Sequence, residues 1–245
     1  MTTIIDGYCT LGTERETRLS PEMLLSWMDK AGVSKAVIAP EDREIAVENA
    51  QGNDRILELS RLSKGRFIPA CTVNPWFGPA GCQELRRAVA TGARMLVLAP
   101  ALQGFIANDE LTSGLLQTAG QLDVPVYVHT GQHSSAAPTQ VVLLAARHPE
   151  TTFVLGHCGS TDYAHDMPAV LRSATKNLWF EASLARPWAV GAYTAALAGR
   201  NMIFGSSAPR NDPAFELKHL TRYLPLDEYP NVYGGNLAKL LKEPL

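Results

Sequence analysis

The sequence predicts a single (β/α)8 barrel that spans residues 1–245. Short apolar, β-branched runs recur at intervals of 24 to 32 residues, which is the length of one strand, one helix and two short loops. The segments between the runs carry helix start and stop signals. Eight strands that alternate with helices favour a closed barrel of parallel strands. The runs start near Thr3, Ser34, Arg66, Arg94, Pro125, Thr152, Leu178 and Met202.

Several connecting segments begin with a residue that caps helices. Ser20 precedes Pro21 and a set of apolar residues at helical spacing, and Gly32 ends this first predicted helix. Asp212 is an equivalent cap before a late helix. The segment 74–81, which is rich in Pro and Gly, instead predicts a long loop after the third strand.

Composition excludes several classes of partner and compartment. The chain is 46% hydrophobic and has a net charge of −2, so it has material for a large core and no basic surface for nucleic acid or an anionic membrane. No apolar run reaches the roughly 18 residues of a membrane span, and the first residues do not form a secretory signal. The cysteines lie in or beside apolar runs, without zinc-finger spacing. We therefore expect a cytoplasmic protein with free thiols.

Polar residues end several of the apolar runs. Active sites of such barrels lie at the C-terminal ends of the strands. His129 ends the fifth run and His157 ends the sixth. Asp6, Tyr8 and Thr10 end the first run, and we expect them to share the face toward the lumen because alternate side chains of a strand point the same way.

In their order along the chain, the strand-end motifs resemble those of the amidohydrolase-related family of metal-dependent barrel hydrolases, the branch that includes aminocarboxymuconate semialdehyde decarboxylase. The resemblance runs nearly end to end. The family's opening pattern is I-D-x-H-x-H, and its eighth strand ends in G-[ST]-D-x-P. The matching segments are Ile5-Asp6-Gly7-Tyr8-Cys9-Thr10, Ala31-Gly32-Val33, Arg66-Phe67, Asn74-Pro75, His129, His157, Gly205-Ser206-Ser207-Ala208-Pro209 and Gly234-Gly235-Asn236.

The departures from the family pattern concern the metal ligands. Tyr8 and Thr10 stand where the family has two metal-binding histidines, and Ser207 stands where it has an aspartate. Neutral hydroxyls are poor ligands for transition metals, and a catalytic zinc site keeps three protein ligands. Only His129 and His157 remain of the family's set. The resemblance therefore implies the fold, with no bound metal or other cofactor expected.

A rebuilt metal site is the alternative to this expectation. Such a site would hold zinc or another divalent metal through His129 and His157. It would need further ligands that converge on one point. The candidates for these ligands are His133 and Glu181.

The strand ends also supply candidate catalytic and ligand-binding residues. His129 and His157 are candidates for acid/base work or for binding a carboxylate. Asp6 is a candidate for orienting a histidine or for a structural acceptor, and Glu181 for a general base in a dry site. Candidates for substrate binding are Tyr8, Thr10, Ser207, Arg186, Arg210 and Trp76. Among these, the arginines suit an anion, and Trp76 lies on the segment predicted to cover the mouth.

Three functions are consistent with this pattern, and the fold does not choose among them. The favoured hypothesis is an amidohydrolase-like hydrolase of a small organic acid, amide or lactone that lacks most of the usual metal ligands. The second is a non-catalytic family member, either a small-ligand-binding protein or the inactive partner of a paralogue in an oligomer; a homo-oligomer is equally open. The third is a metal-dependent hydrolase or decarboxylase with a rebuilt site. The expected ligand is a small anionic or polar molecule.

Overall fold

The computed structural model describes residues 2–13, 16–131, 134–159 and 163–244. Eight parallel strands form one sheet in chain order, each hydrogen-bonded to the next. These barrel strands are Ile5–Thr10, Lys35–Ala39, Phe67–Thr72, Met95–Leu98, Val126–Val128, Phe153–Leu155, Leu178–Glu181 and Met202–Ile203. Each starts within two residues of its predicted start. The predicted (β/α)8 barrel is confirmed.

The barrel is closed by residues that follow the short eighth strand. The amide of Ser207 donates to the carbonyl of Tyr8 at 3.0 Å, and the amide of Thr10 donates to the carbonyl of Ala208 at 2.8 Å. These bonds join the first strand to the segment after the eighth. The side chains at the C-terminal ends of both strands are therefore held next to each other.

Helices surround the strands, with caps where the sequence predicts them. The helices are Pro21–Ala31, Asp42–Ala46, Asn49–Leu62, Gly78–Thr91, Pro100–Gln103, Ser113–Gln121, Pro138–Arg147, Met167–Ser173, Pro187–Leu197, Pro213–Leu220 and Asn236–Leu241, the last preceded by a π-helical turn at Asn231–Gly235. Ser20 accepts from the Met23 amide at 3.2 Å, and Asp212 accepts from the Ala214 amide at 2.6 Å. Within the described ranges, no helix is long and apolar enough to cross a membrane. A two-stranded antiparallel hairpin, Gly12–Thr13 with Arg18–Leu19, follows the first strand.

The prediction of a long loop at residues 74–81 is wrong. A 3-10 turn covers Pro75–Phe77, and the helix Gly78–Thr91 follows at once. Asn74 caps this start by accepting from the Trp76 amide at 3.2 Å. Proline lacks an amide hydrogen and has a fixed φ, so it suits the first turn of a helix as well as a loop.

The buried side chains form an inner cluster in the lumen and an outer cluster between strands and helices. The inner cluster includes Ile5, Tyr8, Val37, Ile68, Val97, Tyr127, Val154 and Ile203, whereas the outer cluster contains Cys9. Ile5 and Tyr8 are three residues apart and yet both face inward, because the register with the second strand shifts between Asp6 and Cys9. The prediction that Asp6 shares a face with Tyr8 and Thr10 is therefore wrong.

We expect a side chain at Gly156, at the end of the sixth strand, to destabilise the barrel. A Cβ atom there would lie 2.6 Å from Cζ of Tyr127. Gly156→Ala should lower the free energy of unfolding by about 1–3 kcal/mol through overpacking, as measured by chemical denaturation. The matched control is Gly114→Ala, whose Cβ would have its nearest neighbour at 3.9 Å, and it should not reduce stability. Equal stability of both variants would contradict the placement of the Tyr127 ring.

Candidate active site

A cavity of about 910 Å³ lies at the C-terminal ends of the strands. Thr10 lines it from the first strand, and His129 and Thr130 line it from the end of the fifth. Ser207 and Arg210 line it from the segment after the eighth strand. The cavity thus lies where active sites of such barrels are found.

His129 and His157 lie side by side beneath this cavity. Nδ1 of His129 is 2.9 Å from Nε2 of His157, and Nδ1 of His157 is 2.8 Å from Oγ of Ser183. His157 is 2% exposed, whereas His129 is partly exposed and lines the cavity. His157 therefore uses both ring nitrogens within the protein, whereas Nε2 of the cavity-lining His129 forms no hydrogen bond with the described residues.

A left-handed turn places His157. His157 and Cys158 have φ values of 61° and 50°, a conformation that non-glycine residues rarely adopt. The His157 amide donates to the carboxylate of Glu181 at 3.1 Å, which helps to hold the turn. Such strained backbone clusters at functional sites.

Glu181, at the end of the seventh strand, accepts hydrogen bonds from four groups. The donors are the Tyr127 hydroxyl at 2.8 Å, the Ser183 hydroxyl at 2.9 Å, the Ser183 amide at 2.7 Å and the His157 amide at 3.1 Å. The side chain is fully buried and does not line the cavity. Glu181 is thus placed behind the histidines, where it does not reach a ligand as the general base that the sequence suggests.

Both imidazoles are neutral near pH 7. Burial lowers the pKa of His129 well below its ordinary value, and repulsion from a protonated His157 and from Arg210 lowers it further. Burial also lowers the pKa of His157, against the opposing effect of Glu181. The histidines are therefore hydrogen-bonding groups, each with one donor and one acceptor nitrogen, and not fixed positive charges.

Tyr8 fills the space beside the histidines. Its ring stacks on Tyr127 with a centroid distance of 4.5 Å, and it meets the His129 ring edge-on at 4.8 Å. The side chain is 2% exposed. An aromatic ring thus stands at a position where the resemblance implies a metal ligand.

The residues present do not fit the metal site of the family. His129 and His157 direct a nitrogen at each other, Thr10 donates to the Ala208 carbonyl at 3.4 Å, and Glu181 is occupied by its four donors. Among the described residues, no group of three His, Cys, Asp or Glu side chains is arranged to hold a metal ion. His133, the other ligand proposed for a rebuilt site, lies outside the described residues.

Of the outer candidates for ligand binding, the structure brings Arg210 to the cavity. Arg210 lines the cavity and forms no ion pair with any residue in the described ranges. Arg186 is exposed at the start of the helix Pro187–Leu197 and does not line the cavity. Trp76 is 63% exposed, and its indole donates to the Gly104 carbonyl at 3.1 Å, also away from the cavity.

Asp6 has a supporting place in the first strand. Its carboxylate accepts from the Ser206 amide at 2.8 Å and from the Tyr8 amide at 3.3 Å. Burial raises its pKa to about 6, against the lowering effect of these hydrogen bonds. Asp6 therefore holds the segment that carries Ser207, and it forms no hydrogen bond with His129 or His157 in the described structure.

Ser183 and Tyr127 are site residues that the sequence did not indicate. Side chains two residues apart in a strand lie on the same face, so strand alternation could have pointed to both residues. Ser183 is two residues beyond Glu181, and Tyr127 is two residues before His129. Each therefore shares a face with a residue that the sequence did identify.

Wild-type protein should not bind zinc at the barrel mouth, whereas Tyr8→His/Thr10→His/Ser207→Asp should. The substitutions restore the family's donors around His129 and His157. Zinc at about 100 times its Kd would then add about 2.7 kcal/mol of stability, seen as a zinc-dependent rise in melting temperature. The control is the same variant with His129→Ala. Stoichiometric zinc on wild-type protein, or no rise in the triple variant, would contradict this account of the site.

Comparison with known proteins agrees with the barrel fold. The model of the amidohydrolase family matches residues 15–242. By sequence alone, no curated protein matches significantly.

Three solved structures show the same fold. One is 2,6-dihydroxybenzoate decarboxylase from Rhizobium, with 14% identity over 99% of each chain and a TM-score of 0.79. The second is 4-oxalomesaconate hydratase from Rhodopseudomonas palustris, with 18% identity over 98% of this chain and 96% of that one and a TM-score of 0.76. The third is 5-carboxyvanillate decarboxylase from Novosphingobium aromaticivorans with manganese and 4-hydroxy-3-methoxy-5-nitrobenzoic acid, with 13% identity over 98% and 96% and a TM-score of 0.78.

These likenesses concern the fold, and the family match covers most of the sequence. The strand order, the strand-end histidines and the family match lead to one assignment. The chain belongs to the amidohydrolase family.

Proposed function

We propose that this protein is an amidohydrolase-like hydrolase of a small organic acid, amide or lactone, in which His129 is the general base. One observation carries the proposal: His129 is held through Nδ1 by His157, has no described hydrogen bond on Nε2, and lines a cavity that Arg210 also lines. A base and a cation at one cavity suit a substrate that carries an anionic group.

Arg210 is the group proposed to bind the anion. Its guanidinium offers several N–H donors in a planar fork that matches a carboxylate. Thr10 and Ser207 place hydroxyls on the same cavity. Ligands named for the solved relatives are small carboxylic acids, 2,6-dihydroxybenzoate and 4-hydroxy-3-methoxy-5-nitrobenzoic acid, which supports an acid as the ligand class.

The proposed reaction begins with a water molecule between His129 and the carbonyl carbon of the bound amide or ester. Nε2 takes one proton of the water as its oxygen bonds to that carbon. When the tetrahedral intermediate collapses, the carbon–nitrogen or carbon–oxygen bond breaks. His129 returns the proton to the leaving atom, so the base is regenerated.

A second candidate is a non-catalytic member that binds a small acid. Two observations favour it: Tyr8 fills part of the lumen, and the lowered pKa of His129 makes it a weak base. This candidate shares the anion site at Arg210 and differs in having no turnover. The alternative of a metal-dependent hydrolase or decarboxylase has less support, because the described donor set does not fit a metal.

Arg210→Gln should weaken the binding of small carboxylic acids by about 10-fold to 100-fold, since a hydrogen bond to a charged group contributes about 1.5–3 kcal/mol. The measurement is calorimetric titration with hydroxybenzoates and short dicarboxylic acids. Arg186→Gln is the matched control, because Arg186 is also an exposed arginine after a strand but does not line the cavity. Equal losses in both variants would show that binding is not at the cavity.

His129→Gln should lower kcat by about 10²–10⁴-fold while the affinity for the acid remains close to that of wild type. The proton-free form of His129 is the active one, and its pKa is lowered. Wild-type kcat should therefore be level above pH 6.5 and should fall only as the pH decreases through the lowered pKa. His148→Gln, on an outer helix end, is the control.

The two candidate functions give different results in these experiments. Arg210-dependent binding together with His129-dependent hydrolysis of an amide or lactone of the bound acid supports the hydrolase. Arg210-dependent binding without turnover of any amide or lactone in the panel contradicts the hydrolase and supports the binding protein.

A further inference from the structure

We infer that Ser183, held by Glu181, is a positioning residue that fixes which nitrogen of His129 carries the proton, so that Nε2 presents a lone pair to the cavity. The inference rests on the proposed function, since it explains how a neutral His129 is kept in the form that a general base requires. Ser183 does not line the cavity.

Glu181 accepts hydrogen bonds through both carboxylate oxygens. Four donors surround its two oxygens: Oε2 accepts from the Tyr127 hydroxyl, the Ser183 hydroxyl and the His157 amide, and Oε1 accepts from the Ser183 amide. Two of these donors are backbone amides, which cannot reverse their direction. A carboxylate has no hydrogen to donate, so Glu181 accepts in all four bonds.

The hydroxyl of Ser183 has a single hydrogen. That hydrogen points to Oε2 of Glu181 over 2.9 Å. Oγ of Ser183 must therefore accept in its 2.8 Å contact with Nδ1 of His157. His157 consequently carries its proton on Nδ1, and its Nε2 has a lone pair.

The same direction of hydrogen-bond donation extends to His129 at the cavity. Nε2 of His157 accepts, so Nδ1 of His129, 2.9 Å away, donates. A neutral His129 then has no proton on Nε2. All three hydrogen bonds from His129 to Glu181 point the same way, and their direction is set at the buried carboxylate.

The shared direction of these three hydrogen bonds also matters when His129 accepts a proton. The positive charge then appears on His129, at one end of the series of hydrogen bonds, and the Glu181 carboxylate lies at the other end. Ser183 and Glu181 are 0% exposed and His157 is 2% exposed, so water does not compete for these bonds. The partners orient and stabilise the imidazolium without having to transfer their own protons.

The test is a long-range ¹H–¹⁵N correlation spectrum of the ligand-free protein with labelled histidine, at pH 7.5. In wild type, we expect His129 and His157 both to show a protonated Nδ1 and a bare Nε2. Ser183→Ala removes the acceptor of the His157 proton and leaves Oε2 of Glu181 at 3.6 Å from Nδ1, beyond hydrogen-bond distance, so both rings should shift toward the Nε2-protonated form. Ser183→Thr keeps the hydroxyl and should keep the wild-type pattern; Ser183→Cys, with a weaker acceptor, is the substitute if the added methyl group prevents folding.

Kinetics supply the second measurement once a substrate is found. Ser183→Ala should lower kcat by about 10-fold to 100-fold, the range found when the hydrogen-bond partner of a metal-bound imidazole is removed, with little change in KM, and Ser183→Thr should restore it. A protonated Nε2 on His129 of wild type, or a histidine spectrum of Ser183→Ala identical to that of wild type, would overturn the inference.

The spectrum needs no substrate, so the two proposals fail separately. The expected spectra without any turnover would support the role of Ser183 and refute the hydrolase. Turnover that depends on His129 but not on Ser183, with unchanged spectra, would support the hydrolase and refute the role of Ser183.

Discussion

The buried carboxylate of Glu181 is the group on which the geometry of the mouth depends. Its hydrogen bonds join three neighbouring strand ends: Tyr127 from the fifth, His157 from after the sixth, and Ser183 from after the seventh. Burial of a carboxylate costs several kcal/mol unless donors replace water, and here four do. The segment after the eighth strand leaves room for it, because a Cβ at Gly205 would collide with Oε1.

The same carboxylate explains why the lumen tolerates its aromatic filling. The Tyr127 hydroxyl is tied to Glu181, so its ring is fixed, and Tyr8 stacks on it nearly in parallel, at 7°. Behind the histidines lies the carboxyl group of Glu181, and the surrounding donors point to it. Membership of the family therefore specifies the scaffold and leaves the chemistry to the residues at the mouth.

The sequence was sufficient to predict the barrel because its apolar runs recur at regular intervals. Each strand is an apolar run, and the intervals between runs match one strand and one helix, so the strand starts followed directly. The adjacency of His129 and His157 also followed, since both end neighbouring strands. The segment 74–81 was misjudged because Pro and Gly favour loops and helix starts alike.

Other features depend on contacts that a sequence does not display. The bulge between Asp6 and Cys9 arises from pairing with the second strand, and alternation along one strand cannot reveal it. Arg186 and Arg210 follow strands in the same way, yet the first begins a helix on the outside while the second is turned toward the cavity, with its amide bonded to the Ser207 carbonyl at 2.9 Å. The role proposed for Ser183 rests on distances among four side chains, which the sequence does not give.

Closure of the barrel by residues beyond the eighth strand has a consequence for ligand exchange. The segment that carries Ser207 forms both the seam of the barrel and one wall of the cavity, through its main-chain bonds to Tyr8 and Thr10. Lids of enzymes are drawn from weakly held segments. A wall that is part of the seam cannot swing open without breaking the sheet. The cavity therefore keeps a fixed wall at Ser207, so any movement that admits or releases a small molecule involves other lining residues, such as Asp42 and Arg43 on the helix Asp42–Ala46 and Ala101 and Leu102 on the helix Pro100–Gln103.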